Sequence, residues 1–298
     1  MKRFINPFTD MAFKRLFGQD KHKNILMGFL NTLFEGELKI EDITYEDKEQ
    51  VGEDDDSRTI IFDILCTTKE GEHIIVEMKN RSQPNFKERS IYYMSSAIIN
   101  QGLKGNWDYD IKAVYGVFFM NFISTAIKPR LRNDVVFAYK DSGEQFSDKM
   151  RMVYITIPLM TKKEDECVNN FERWIYVMKN MEHLTEIPYK DIIAEMLNFE
   201  EVADYESLKG DARRKYERDL KRYRDNLSCI QGAREEGLAE GIAEGREEGR
   251  KEGRKEGRKE GRKEEKRQIA LALKQSNVSI NIITNCTGLT PDEIAQLN

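Results

Sequence analysis

The chain has 298 residues, of which 39% are hydrophobic and 34% charged, with a formal net charge of −5 at pH 7. That length supports one packed domain of about 200 residues plus an extension, and the acidic balance excludes a uniformly basic nucleic-acid coat while leaving room for a local phosphate-binding patch. No apolar run of about 18 residues predicts a membrane span, the opening MKRFINPFTD lacks the core of a signal peptide, and four scattered cysteines without a C-x-x-C pair predict reduced thiols in the cytoplasm, not a zinc ribbon or disulfide scaffold.

In chain order, Thr9 or Asp10 is placed to cap a helix through MAFKRLFG that Gly18 ends, and Asp20 to cap a second helix carrying Ile25, Leu26, Phe29, Leu30, Leu33 and Phe34 at helical spacing. Residues 38–47 alternate weakly as a strand, and EDDD at 53–56 reads as an acidic loop. The stretch IIFDILCTTKEGEHIIVEMKN at 60–80 predicts two strands joined by a turn. Residues 86–103 predict an amphipathic helix and 111–122 a buried strand. Residues 133–140 and 151–157 predict two further strands, and 169–181 and 190–198 two helices. This order belongs to an α/β sheet domain, assigned to residues 1–200.

Beyond residue 200 the character changes. Residues 201–230 predict a charged helical connector with few apolar anchors, and 231–267 a Gly-x-x-x repeat arm in which Gly237, Gly241, Gly245, Gly249, Gly253, Gly257 and Gly261 recur every fourth residue. Seven interior glycines cost roughly 6 kcal/mol relative to alanine, so an isolated helix here is expected to be marginal. Residues 231–248 carry two basic and six acidic side chains, and 249–267 carry ten basic and five acidic. Two readings follow. One is a helical arm that makes the chain a homo-oligomer, acidic half on basic half of an antiparallel partner. The other is a solvated spacer. The basic half also suits DNA, against which the interleaved glutamates weigh. Residues 268–298 predict a small helical unit; from residue 264 onward three short helices are expected, with Thr290 capping and Pro291 opening the last.

The chemistry concentrates in the 60–80 hairpin. A three-residue turn at Lys69-Glu70-Gly71 sets Asp63 across from Glu77 and puts Asp63, Glu77 and Lys79 on one face, whereas a two-residue loop at Glu70-Gly71 would set Asp63 against Met78; the first is preferred because it keeps every charge on one side. Two carboxylates at that spacing repel unless a positive group lies between them. Lys79 supplies one charge. A divalent cation such as Mg²⁺, typically held by one or two carboxylates with several waters, supplies more and leaves room for a phosphate oxygen. The pattern therefore predicts metal-assisted phosphodiester hydrolysis; the alternative is a hairpin with one solvated face. Lys87, Arg89 and Lys104 on the next helix suit a DNA backbone or a plain solvated face. His73 alternates with Glu77 and belongs either to that face or to ordinary solvated strand surface. No Gly-rich phosphate loop and no activated serine or cysteine is present.

Asp63 followed by Glu77-Met78-Lys79 resembles the PD-(D/E)XK nuclease motif, and the element order resembles that superfamily's restriction-endonuclease-like αβββαβ core. NPFTDMAFKRLFG, the helix RSIYYMSSAI and the Gly-Glu-Arg repeat tail are together similar to its recombination-promoting nuclease (Rpn) branch of transposase-like proteins, over most of the chain. The resemblance implies a Mg²⁺-dependent DNA endonuclease, with Mn²⁺ an alternative ion, in recombination, mobile-element activity or phage defence. It implies metal ligation by Asp63, Glu77 and the Met78 carbonyl, with Lys79 as catalytic lysine. Asp10 is its candidate for an added helix acid, although an N-cap role also explains it. Arg89, Lys87 and Tyr93 are the candidate DNA contacts. Two departures stand out. Phe62 occupies the motif's proline position. A Q-x-x-x-Y helix motif is missing, with Arg89, Tyr92 and Tyr93 as candidate substitutes. The alternative function on the same fold is a catalytically silent nucleic-acid-binding or oligomeric interaction module.

Overall fold

The computed structural model describes residues 3–47, 49–50, 60–102 and 107–297; the acidic run at 53–56 and Lys104 lie outside the described residues. Helix α1 (Asp10–Phe17) begins at Thr9, whose side chain accepts from the Ala12 N–H, and ends at Gly18. Asp20 opens a 3-10 turn instead of capping the next helix, and α2 (Lys23–Leu33) starts one turn later. The strands are β1 (Ile43–Tyr45), β2 (Glu49–Gln50), β3 (Ile60–Ile61), β4 (Ile64–Thr68), β5 (His73–Lys79), β6 (Val114–Met120), β7 (Arg132–Ala138) and β8 (Gln145–Thr156). Helix α3 (Phe86–Ile99) connects β5 to β6, and α4 (Asn170–Asn180) and α5 (Glu195–Ala203) follow β8. The second of these last two helices starts five residues later than its apolar spacing suggests.

Six strands form one sheet in the order β1-β4-β5-β6-β8-β7, and β2 with β3 forms a separate ribbon. Strands β5, β6 and β8 run parallel; the other pairings are antiparallel. Side chains alternate between the two faces. Ile64, Cys66, Ile74, Val76, Val117, Phe119, Val153 and Ile155 pack with α1, α2, α4 and α5 in the larger core, where the Phe29 and Trp174 rings meet edge to face at 5.9 Å. Leu65, Ile75, Phe118 and Tyr154 form the second core with Phe86, Met94 and Ala97 of α3. The architecture is the restriction-endonuclease-like α/β arrangement that the element order suggests.

The chain divides into two compact units, Met1–Arg224 and Asp225–Asn298. Helix α6 (Gly210–Gln275) contributes to both. Its first turns are anchored more firmly than their charged sequence implies. Tyr216 and Leu220 are buried, and the Tyr216 hydroxyl accepts from the Asn6 N–H at 2.8 Å. The repeat is helical throughout, as one part of α6. Residues 264–275 finish α6, so only two short helices follow, α7 (Ile280–Thr287) and α8 (Pro291–Ala295). Ala270, Ile283, Leu289 and Ile294 form a small core. Thr290 and Glu293 make a reciprocal capping box at the start of α8, and the Lys274 ammonium donates to the carbonyls of Ile294, Ala295 and Leu297 at its end. Helix α8 is thus capped at both ends.

Candidate active site

The β4–β5 register pairs Ile64 with Val76, Leu65 with Ile75, Cys66 with Ile74 and Thr67 with His73. Gly71, at φ +93°, supplies the left-handed residue of the Lys69-Glu70-Gly71 turn. The next pair outward from Ile64 and Val76 is Asp63 with Glu77, where the backbone ladder gives way to side chains. The Asp63 N–H donates to Glu77 Oε1 at 2.9 Å, and the Met78 N–H donates to Asp63 Oδ2 at 2.9 Å. Each carboxylate is held by the other's strand. Lys79 Nζ lies 2.5 Å from Glu77 Oε2 and 3.4 Å from Asp63 Oδ2. All three share the α3 face with Leu65 and Ile75, at the carboxyl end of a parallel strand, where open α/β sheets commonly bind ligands.

Glu77 is fully buried. Burial, then the neighbouring Asp63 charge, push its carboxyl above the usual range, and Lys79 offsets only part of that. Burial opposes the charge on Lys79, but the two carboxylates outweigh it and hold the ammonium above its ordinary value. One ammonium against two carboxylates leaves an excess of negative charge in a low-dielectric corner. That donor set fits a divalent cation. Among the described residues no group of three or more His, Cys, Asp or Glu side chains is gathered to hold an ion. An ion at this place would therefore rely on two carboxylates, backbone oxygen and water, the manner of Mg²⁺.

The other sequence candidates divide. Tyr93 packs its ring edgewise on Phe62 at 5.4 Å, beside Asp63, and its hydroxyl accepts from Arg89 at 2.7 Å. Arg89 also donates to Gln83. Lys87 is exposed on the first turn of α3. Asp10 stands on the first turn of α1, 2.6 Å from the Lys14 ammonium and half exposed; no three-acid cluster among the described residues includes it. His73 is at the far end of β5, against Thr67 and Glu46. Met78 is buried, with its N–H committed to Asp63.

The sequence reading missed the amides that brace the strand end. Asn80 Nδ2 donates to the Phe8 carbonyl at 2.7 Å, and Asn121 Nδ2 donates to Asn80 Oδ1 at 3.2 Å and to the Tyr223 hydroxyl at 3.0 Å. The Asn121 N–H donates to the Lys79 carbonyl at 2.8 Å. The one sequence signal was position: each asparagine follows the last residue of its strand.

A profile of the PD-(D/E)XK nuclease family transposases matches residues 7–233. The chain belongs to that family. The matched span covers the sheet, both cores and the Asp63–Glu77–Lys79 site. No curated protein and no solved structure matched the chain. Membership in the PD-(D/E)XK nuclease family transposases agrees with a nuclease-type site and a DNA substrate class. Among the described residues, no helix is long and apolar enough to cross a membrane.

Proposed function

We propose that the chain is a divalent-metal-dependent DNA endonuclease. The observation that carries this reading is the Asp63–Glu77–Lys79 cluster, in which two cross-strand carboxylates are short of positive charge and one is fully buried. Asp63, Glu77 and the Met78 carbonyl would hold Mg²⁺ or Mn²⁺, which when bound supplies Lewis-acid polarisation of the phosphate and a more acidic water. In a strand the N–H and C=O of one residue face the same edge, so the Met78 N–H bond to Asp63 turns that carbonyl toward the carboxylates. Lys79 is held protonated, which suits it to orient a water or to offset charge on the phosphate rather than to accept a proton. The asparagine braces fix the strand end that carries it. Arg89, with Tyr93 and Lys87 beside it on α3, offers donors to the DNA backbone. The four free cysteines support a cytoplasmic setting. Exposed Leu227, Ile230, Leu238 and Ile242 along α6 support self-association of the arm. This reading extends to a role in recombination, mobile elements or phage defence, to which the family's transposase description lends support.

A plasmid-nicking assay with Mg²⁺, Mn²⁺ or EDTA tests the reading. Wild type nicks with either ion and is silent in EDTA, whereas Asp63→Ala and Lys79→Ala nick little. Equal behaviour of the three proteins overturns catalysis and favours the silent binding module.

A further inference from the structure

The nuclease reading leaves the basic half of α6 without a task, and the interleaved glutamates of the sequence argue against giving it one. The fold of the second unit removes that objection. A groove of about 950 Å³ runs along α6 and is lined also by Gly288, Leu289 and Glu293 at the corner between α7 and α8. Arg254, Lys255, Arg258, Lys259, Arg262 and Lys263 line it, with Lys251 and Lys266 at its two ends. Glu252, Glu256, Glu260 and Glu264 do not; its single acid is Glu293, whose side chain is occupied by the Thr290 cap. Of these eight cations only Lys251 has an ion-pair partner among the described residues, Glu247 at 2.7 Å.

The spacing of these charges specifies the partner. At a rise of 1.5 Å per residue, the span from Lys251 to Lys266 is about 22 Å, so its eight cations come at roughly one per 3 Å. One strand of B-DNA presents a phosphate about every 3.4 Å of axis. Four residues turn an α-helix by about 400°, so the basic stripe climbs around the helix by about 40° per repeat. A straight partner helix, such as the acidic half of a second copy's arm, loses that stripe after two or three repeats. A duplex does not, because its major groove, about 12 Å wide, admits an α-helix and flanks it with phosphates on both sides. The exposed apolar residues Leu227, Ile230, Leu238 and Ile242 precede this segment, which carries none. Among the described residues, Arg254, Lys255, Arg258, Lys259, Arg262 and Lys263 have no ion-pair partner to fix them as base readers.

We propose that residues 251–266 of α6 are a second DNA-binding surface, one that grips the phosphate backbone of duplex DNA without regard to sequence. The choice of duplex DNA as the polyanion rests on the nuclease reading; the binding itself does not. The test is fluorescence anisotropy of the full chain on a labelled duplex in EDTA, in an Asp63→Ala background so that cleavage plays no part, with NaCl varied. Replacing Arg254, Lys255, Arg258, Lys259, Arg262 and Lys263 together by Gln is expected to weaken binding at least tenfold. It should also flatten the slope of log affinity against log salt by about 0.9 for each lost contact. Glu252→Gln, Glu256→Gln and Glu260→Gln together, which spare every groove cation, should tighten binding and steepen the salt response. Unchanged affinity and slope in both variants overturn the proposal. So does a six-glutamine variant that loses self-association in sedimentation yet holds DNA as before, since the groove then serves a second copy. An inactive wild type that still shows the arm-dependent salt slope removes the nuclease reading and keeps this one. An active enzyme whose DNA affinity ignores the arm does the reverse.

Discussion

Glycine has opposite meanings in the two units. In β6 of the first unit, a Cβ on Gly116 would stand 2.6 Å from Met94 Sδ and 2.7 Å from the Phe118 ring, so a side chain there would have to displace both. In the arm, a Cβ on Gly237, Gly241, Gly245, Gly249, Gly253, Gly257 or Gly261 would meet nothing within 4 Å. The first unit is a body in which neighbours dictate residues across long separations. The arm is a helix whose residues answer to their own repeat, and whose glycines cost helix stability with no packing return inside the chain.

Substitutions in the two regions should therefore differ in size. The largest effects belong to the site. Asp63→Ala and Glu77→Ala should each lower plasmid nicking by about 10²–10³-fold or more, the scale of losing a charge-stabilising group at a reacting centre. Lys79→Ala leaves two adjacent carboxylates, one fully buried, without their counter-charge. It should cost about 3 kcal/mol of stability in EDTA by urea unfolding, and added Mn²⁺ should restore part of that by binding the native state. No response to the ion would count against the carboxylate pair as its ligands.

Gly116→Ala should come next, at about 1–3 kcal/mol, because the Phe118 ring cannot yield as a flexible side chain does. A neutral result would show that the Phe118 ring and the Met94 side chain yield to the added methyl group.

Glu77→Gln tests the buried charge through pH. Burial and Asp63 raise the Glu77 carboxyl above its unfolded value, so the native chain keeps that proton where the unfolded chain has lost it. The stability this contributes is present at low pH and is lost as pH rises through the folded value. In EDTA, Glu77→Gln should remove that decline and be at least as stable as wild type at pH 7–8, although inactive. A variant less stable than wild type at pH 7–8 would show that the ion pair with Lys79 outweighs burial.

The smallest effects belong to the arm. Gly245→Ala, Gly249→Ala and Gly253→Ala should each add up to about 0.8–1 kcal/mol of local helix stability, seen as slower fraying by circular dichroism and hydrogen exchange. Unfolding of the first unit should not change. A loss of helicity or of self-association would mean that another backbone approaches those glycines closely.

The hairpin was legible because its determinants are local. Two short apolar runs, Ile64 to Cys66 and Ile74 to Val76, mark the strands, a glycine at Gly71 fixes the turn, and a one-residue slip would set Asp63 against Met78 and part it from Glu77. The cap at Thr9 and the box at Thr290 and Glu293 are equally short-ranged. The anchoring of α6 was not legible. Tyr216 and Leu220 look isolated in a charged run, and Asn6, which donates to the Tyr216 hydroxyl, lies 210 residues away. Asn80 and Asn121 were invisible for the same reason, since a polar residue at a strand end usually meets water.

By itself the sequence determined that Asp63, Glu77 and Lys79 share one side of a hairpin, and that charge in the tail is sorted by a four-residue repeat; both follow from fixed backbone periods. Only the tertiary structure decided that Glu77 is sealed from water, that Tyr93 closes over Phe62 beside it, and that the arm's cations line a groove from which its glutamates are excluded. Burial and juxtaposition depend on elements distant in the chain, and no local period encodes them.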